Sequence, residues 1–174
     1  PTETEADIRG IGQLVQKVLT IAREAHQGVK GRLKINVSAS SFVPKSHTPF
    51  QWEPQDRQEV LQEKQKLLAS LLPRRVDFSW HDVPTSFLEA IFAKGDRRLG
   101  EVLVRAVQRG CRFDGWSEHF AYEEWLASFQ DCGLDPEFYT YRTMEYDEVL
   151  PWDHIDSGVT KEFLQKEHRR AVEE

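Results

Sequence analysis

Apolar residues recur at helical spacing near the start of the chain, at Ile8, Ile11, Leu14, Val15, Val18, Leu19 and Ala22. Steps of three and four stack side chains on one face of an α-helix. "TEAD" at 4–7 stands just before this run and has the form of a capping box, Thr4 followed three residues later by Asp7. A helix is therefore expected to reach about His26, closed by Gly28 and Gly31. The period then changes to two: Leu33, Ile35 and Val37 alternate with Lys34, Asn36 and Ser38, which predicts a strand over 33–38. A second helix is expected from Asp56 to Leu72, with Val60, Leu61, Leu67, Leu68 and Leu71 inward and Pro73 as its stop. "RRVDFSW" (74–80) predicts a second strand with Val76, Phe78 and Trp80 on one side.

The rest of the chain reads as mainly helical. "SFLE" (86–89) is a second capping box, opening a helix that closes near Gly95. Further helices are expected from an Asp96 cap to Gly110, from a Ser117 cap to Gly133, and from about Val159 to the end. "FYTYRTMEY" (138–146) is rich in β-formers and suggests a third strand. The first helix followed by the first strand reads as the αβ half of a βαβ unit, with the strand that should precede that helix absent. Two or three strands leave both sheet edges open. The expected class is α/β, with 1–80 carrying the strands and 81–174 a helical extension, whether separate from 1–80 or packed with it as one unit.

Composition narrows the function classes. With 174 residues, 39% hydrophobic and 30% charged, the chain can build one real core and is not of disordered composition. A net charge of −6 argues against a broad nucleic-acid-binding surface. No apolar run approaches the roughly 20 residues of a membrane span, and no leader peptide is evident, so a cytoplasmic protein is expected. The two cysteines, Cys111 and Cys132, have no CxxC-like spacing and cannot complete a zinc or iron–sulfur ligand set alone.

"SFVPKSHTPFQWEP" (41–54) is the most suggestive segment. Loops that leave the carboxyl ends of strands line the active sites of barrel-type α/β folds. Pro44 and Pro49 stiffen such a loop. Phe42, Phe50 and Trp52 are suited to stacking on a flat ligand, and Lys45 and His47 to meeting an anion. The alternative is that these rings simply pack on a core. In "KGDRRLG" (94–100), Arg97 and Arg98 fall in the expected first turn of a helix, where the dipole disfavours cations. Both suit phosphate or another anion; the alternative is salt bridges to Asp82, Glu89 or Asp114. Asp114, Glu118 and His119, with "WDHID" (152–156), hold ligand-type side chains, but helix caps account for Asp114 and Ser117, and Trp116 and Trp152 read as core. No nucleophile elbow, phosphate-cradling glycine loop or HExxH is present.

Several segments together resemble one family. "PTETEADIRGIGQLVQKV" is similar to the turn and helix after the fifth strand of radical S-adenosylmethionine (SAM) enzymes, and "LKINVSASSFVPKSHTPFQWEP" to their sixth strand and its exit loop. The series "GDRR", "FDGW", "GLD", "LPWDHID" and "FL" resembles the bacterial fused group, in which a radical SAM domain, often preceded by a cobalamin-binding-like region, joins a C-terminal domain. The resemblance covers nearly the whole chain but omits the CxxxCxxC cluster motif. It implies the last strands and helices of a partial (β/α) barrel, followed by a helical extension. It also implies that a [4Fe–4S] cluster and SAM, with cobalamin as a further candidate, are held by the parent enzyme and not by this chain. Ser38, Ser40 and Phe42 would then form part of the SAM-pocket wall, and Lys45, His47, Phe50, Trp52, Arg97 and Arg98 would meet substrate. The partner would be the rest of the parent polypeptide, and a macromolecular substrate such as RNA stays open. The competing expectation is a non-catalytic interaction module that docks on a partner, or on its own copy, through exposed strand edges or helices.

Overall fold

A computed structural model describes residues 2–26 and 34–173. Gly28, Gly31 and Leu33, expected to end the first helix and open the first strand, lie outside the described residues. Two compact units emerge, Pro1–Ser41 with Asp56–Val83, and Phe42–Gln55 with Pro84–Glu174.

The first unit is built from α1 (Glu5–Ala25), β1 (Asn36–Ala39), α2 (Gln58–Leu71) and β2 (Asp77–Trp80). The expected capping box forms: the Thr4 N–H and hydroxyl each donate to Asp7 Oδ2 at 2.7 Å. α1 buries Ile8, Gly12, Val15 and Leu19. Gly12 lets α2 approach closely, since a Cβ there would lie 3.0 Å from Leu71 Cβ. β1 and β2 pair in parallel, with Val37 opposite Phe78 and Ser38 opposite Ser79. Because α2 links them, they form a parallel β–α–β crossover. Val15, Leu19 and Val76 make the core, flanked by Ile35, Val37 and Leu72. Asn36, Ser38, Asp77 and Ser79 are exposed.

The second unit is helical: α3 (Val83–Lys94), α4 (Leu99–Gln108), α5 (Tyr122–Asp131), α6 (Pro136–Thr140) and α7 (Lys161–Glu173). Its larger core joins Phe87 and Ile91 of α3, Leu99 and Val102 of α4, Trp125 and Phe129 of α5, and Tyr139 of α6. A smaller core holds Trp52, Met144, Leu150, Trp152 and Leu164. No helix among the described residues is long and apolar enough to cross a membrane.

Three local expectations change. The stretch 138–146 is not a strand; Asp135 caps a short helix by accepting the Glu137 N–H at 2.9 Å, with Pro136 in its first turn. Cap chemistry and Pro override β-propensity there. α3 opens at Val83, so Ser86 is an interior helix residue, fully buried, not a cap. α5 begins at Tyr122, not at Ser117.

Gly95, between α3 and α4, sits where a Cβ would lie 2.0 Å from Leu99 Cδ1 and 2.8 Å from the Ile91 carbonyl oxygen. Gly95→Ala is accordingly expected to destabilise the second unit by about 1–3 kcal/mol through overpacking. A lowered urea midpoint checks this; an unchanged midpoint would show that Leu99 yields freely.

Candidate functional site

The proline-bearing stretch 42–55 is sewn into the second unit by backbone and side-chain hydrogen bonds. The Gln55 N–H donates to the Thr140 carbonyl at 3.0 Å, and the Met144 N–H to the Trp52 carbonyl at 2.8 Å. Gln55 Nε2 donates to the Phe42 and Ser86 carbonyls at 3.1 and 3.2 Å. Buried Gln51 serves as a hub: its Oε1 accepts the His47 N–H at 3.1 Å and Trp152 Nε1–H at 2.6 Å. These bonds explain how a segment without regular structure stays ordered inside a core.

Charged groups converge where this segment meets α3 and α7. Lys94, at the end of α3 and 1% exposed, donates from Nζ to the carbonyls of Glu53 and Arg142 at 2.7 and 3.1 Å. Burial, with the neighbouring Arg142 charge, pushes its pKa down to about 8. Arg142 makes a two-pronged pair with Glu148 at 2.9 and 2.6 Å, which holds the Glu148 carboxyl below its ordinary value. His168 of α7 lies between Glu53, at 2.8 Å from its Nε2, and the Tyr146 hydroxyl, at 2.5 Å from its Nδ1.

The expected site residues fall in different settings. Ser38 and Ser40 are exposed residues of the first unit. In the second unit, Phe42 is partly exposed and meets the Phe50 ring edge-on, with centroids 5.8 Å apart. Lys45 is ion-paired with Glu89, one of the acids expected as a salt-bridge partner for the arginines. His47 adopts a left-handed backbone (φ 56°), and its Nε2 is buried with no partner among the described residues. Phe50 packs its edge against His168 at 5.7 Å. Trp52 is 1% exposed, inside the smaller core.

Arg97 and Arg98 precede α4 rather than occupying its first turn. Arg98 pairs with Asp96 at 2.6 Å and lies over the Phe138 and Tyr139 rings at 5.8 and 5.6 Å. Arg97 is an exposed cation without a partner among the described residues. Of the two tryptophans read as core, Trp152 is buried and Trp116 is 58% exposed.

Residue spacing gave no sign of Gln51, Glu53, Lys94, Tyr146 or His168 as a convergent group. Their partners are distant along the chain, and only the lysine closing the apolar run "AIFAK" hinted at an unusual setting. Among the described residues, no three His, Cys, Asp or Glu side chains are placed to share a metal ion. Cys111 and Cys132 are both free thiols. No family model matches the chain, and no curated protein or solved structure matches it either.

Proposed function

We propose that this chain is part of a cytoplasmic radical SAM iron–sulfur enzyme, contributing the last strand-and-helix portion of a partial barrel and a helical extension. In this reading it forms one wall of the SAM and substrate pocket and is not catalytic by itself. The observation that carries the proposal is the parallel β1–α2–β2 crossover preceded by α1, the order that the resemblance implies. The exposed polar face at Asn36, Ser38 and Ser79 suits a pocket lining better than a packed sheet face. With only two thiols and no convergent ligand set among the described residues, these residues do not fit a [4Fe–4S] cluster. The cluster, and cobalamin if it takes part, would belong to the rest of the parent enzyme.

Roles then follow from placement. In the first unit, Ser38 and Ser40 offer hydroxyls to SAM. Lys45, His47 and Phe50 are already engaged within the second unit and orient the loop, Arg98 is held by Asp96, and Arg97 is available to an anionic substrate group. Trp52 supports the loop from beneath.

The test is calorimetric titration of this chain with SAM and 5′-deoxyadenosine, beside anaerobic iron–sulfur reconstitution. Saturable SAM binding, weakened roughly tenfold by Ser38→Trp, without iron uptake or SAM cleavage, is the expected result. SAM cleavage by this chain alone would overturn the proposal. A second reading, a non-catalytic interaction module, is favoured by one observation: Leu14, Val18 and Ile21 form an exposed apolar stripe along α1. Concentration-dependent mass with no SAM binding would decide for it.

A further inference from the structure

The most unusual chemistry in the second unit is a one-directional proton chain. A Glu53 carboxylate can only accept, so His168 Nε2, 2.8 Å away, carries the hydrogen of that contact. In the neutral imidazole Nδ1 then keeps a lone pair, to which the Tyr146 hydroxyl 2.5 Å away donates. His168 is 8% exposed and is walled by the rings of Phe50, Trp52 and Tyr146, with centroids 5.7, 5.8 and 5.7 Å from its own. Water therefore competes poorly for these bonds, which strengthens them. Trp52, buried, meets the Tyr146 ring edge-on at 5.0 Å, while Tyr146 itself is partly exposed.

A phenol with a short hydrogen bond to a neutral imidazole loses an electron more easily than a free phenol, because its proton has somewhere to go in the same step. We propose that Tyr146 is a redox-active tyrosine, giving its electron to a one-electron oxidant and its proton to His168. The O–H bond of Tyr146 breaks and an N–H bond forms at Nδ1. The oxidant gains one electron, Tyr146 becomes a neutral phenoxyl radical, and the new imidazolium charge is balanced by Glu53. An oxidising equivalent that reaches buried Trp52 passes by the 5.0 Å ring contact to Tyr146, the member of the pair nearer to solvent. The same bonds also tie α7 to the loop, but a purely structural tie predicts no change in the oxidation chemistry of Tyr146. The assignment rests on the geometry of this chain alone and stands or falls independently of the radical SAM reading.

The experiment is flash photolysis with a ruthenium(III) polypyridyl oxidant, reading the tyrosyl radical by transient absorbance and electron paramagnetic resonance. The variants are Tyr146→Phe, His168→Gln and Glu53→Gln, each checked for native circular dichroism. Wild type should form the radical with a solvent deuterium effect. Tyr146→Phe should lose most of the tyrosyl signal. His168→Gln should slow its formation by about tenfold or more, because the phenol proton must then leave to water. If His168→Gln fails to fold, Glu53→Gln, which keeps the side-chain shape, should show slowed formation in the same sense. A tyrosyl yield unchanged in Tyr146→Phe, or a rate unchanged when the His168 chain is altered, would overturn the assignment.

Discussion

Trp52→Ala is expected to cost the second unit about 3–5 kcal/mol, the range for removing a buried large ring. The indole is 1% exposed and is packed with Met144, Leu150, Trp152 and Leu164, so truncation leaves a cavity among groups that cannot all collapse into it. Its carbonyl also holds the Met144 N–H, so the loop's path depends on the ring staying in place. Trp52→Phe should cost clearly less, because a ring remains to fill part of the space. Urea unfolding followed by circular dichroism checks both. A loss below about 1 kcal/mol for Trp52→Ala would mean the ring is dispensable for packing and free to serve a ligand.

Lys94→Met should give a penalty that grows with pH. Two terms oppose each other near neutrality. The ammonium's hydrogen bonds to the Glu53 and Arg142 carbonyls contribute on the order of 1.5–3 kcal/mol each as charge-assisted bonds. Burying the charge costs stability, shown by a pKa of about 8 against 10.5 for a free lysine. That difference, 2.5 multiplied by 1.36 kcal/mol, is about 3 kcal/mol.

The sign follows from proton counts. Between about pH 8 and 10.5 the unfolded chain holds the lysine proton and the folded chain does not, so folding stability rises with pH. Methionine cannot share in that rise. The gap between wild type and Lys94→Met should therefore widen by about 3 kcal/mol across this window, measured as the difference of urea stabilities at each pH, which cancels the titration of other groups. A flat or narrowing gap would show that the folded chain holds the Lys94 proton as firmly as the unfolded chain does, as a solvated amine would.

Much of the first unit was readable along the chain. The capping box at Thr4 and Asp7, the burial of Ile8, Val15 and Leu19 on α1 and the β–α–β order are all local patterns, although Leu14 and Val18, read on the same face of α1, are exposed. They hold because helix hydrogen bonds span four residues and strand side chains alternate, so the signal and the structure share one length scale. The misreadings arose where two local signals competed. Residues 138–146 carry β-forming side chains, yet Asp135 and Pro136 start a helix first. Arg97 and Arg98 were expected in a first helical turn, yet that turn begins one residue beyond Arg98.

The candidate site was legible only as a list of residue types. The loop 42–55 could be recognised as stiff and aromatic, but not as a part of the second unit, whose other residues begin at Pro84. That assignment depends on Gln51 reaching Trp152 and on Gln55 reaching Thr140, contacts that no spacing encodes.

By itself, then, the sequence determined most of the helical segments, the two strands, the lack of a cysteine ligand set in this chain and the acidic net charge. Tertiary structure alone decided that Trp52 is core, that Lys94 is a buried amine and that Tyr146, His168 and Glu53 form one chain of hydrogen bonds. The physical reason is the same in each case. Burial and charge depend on which distant segments exclude water together, and that is a property of packing rather than of any local period.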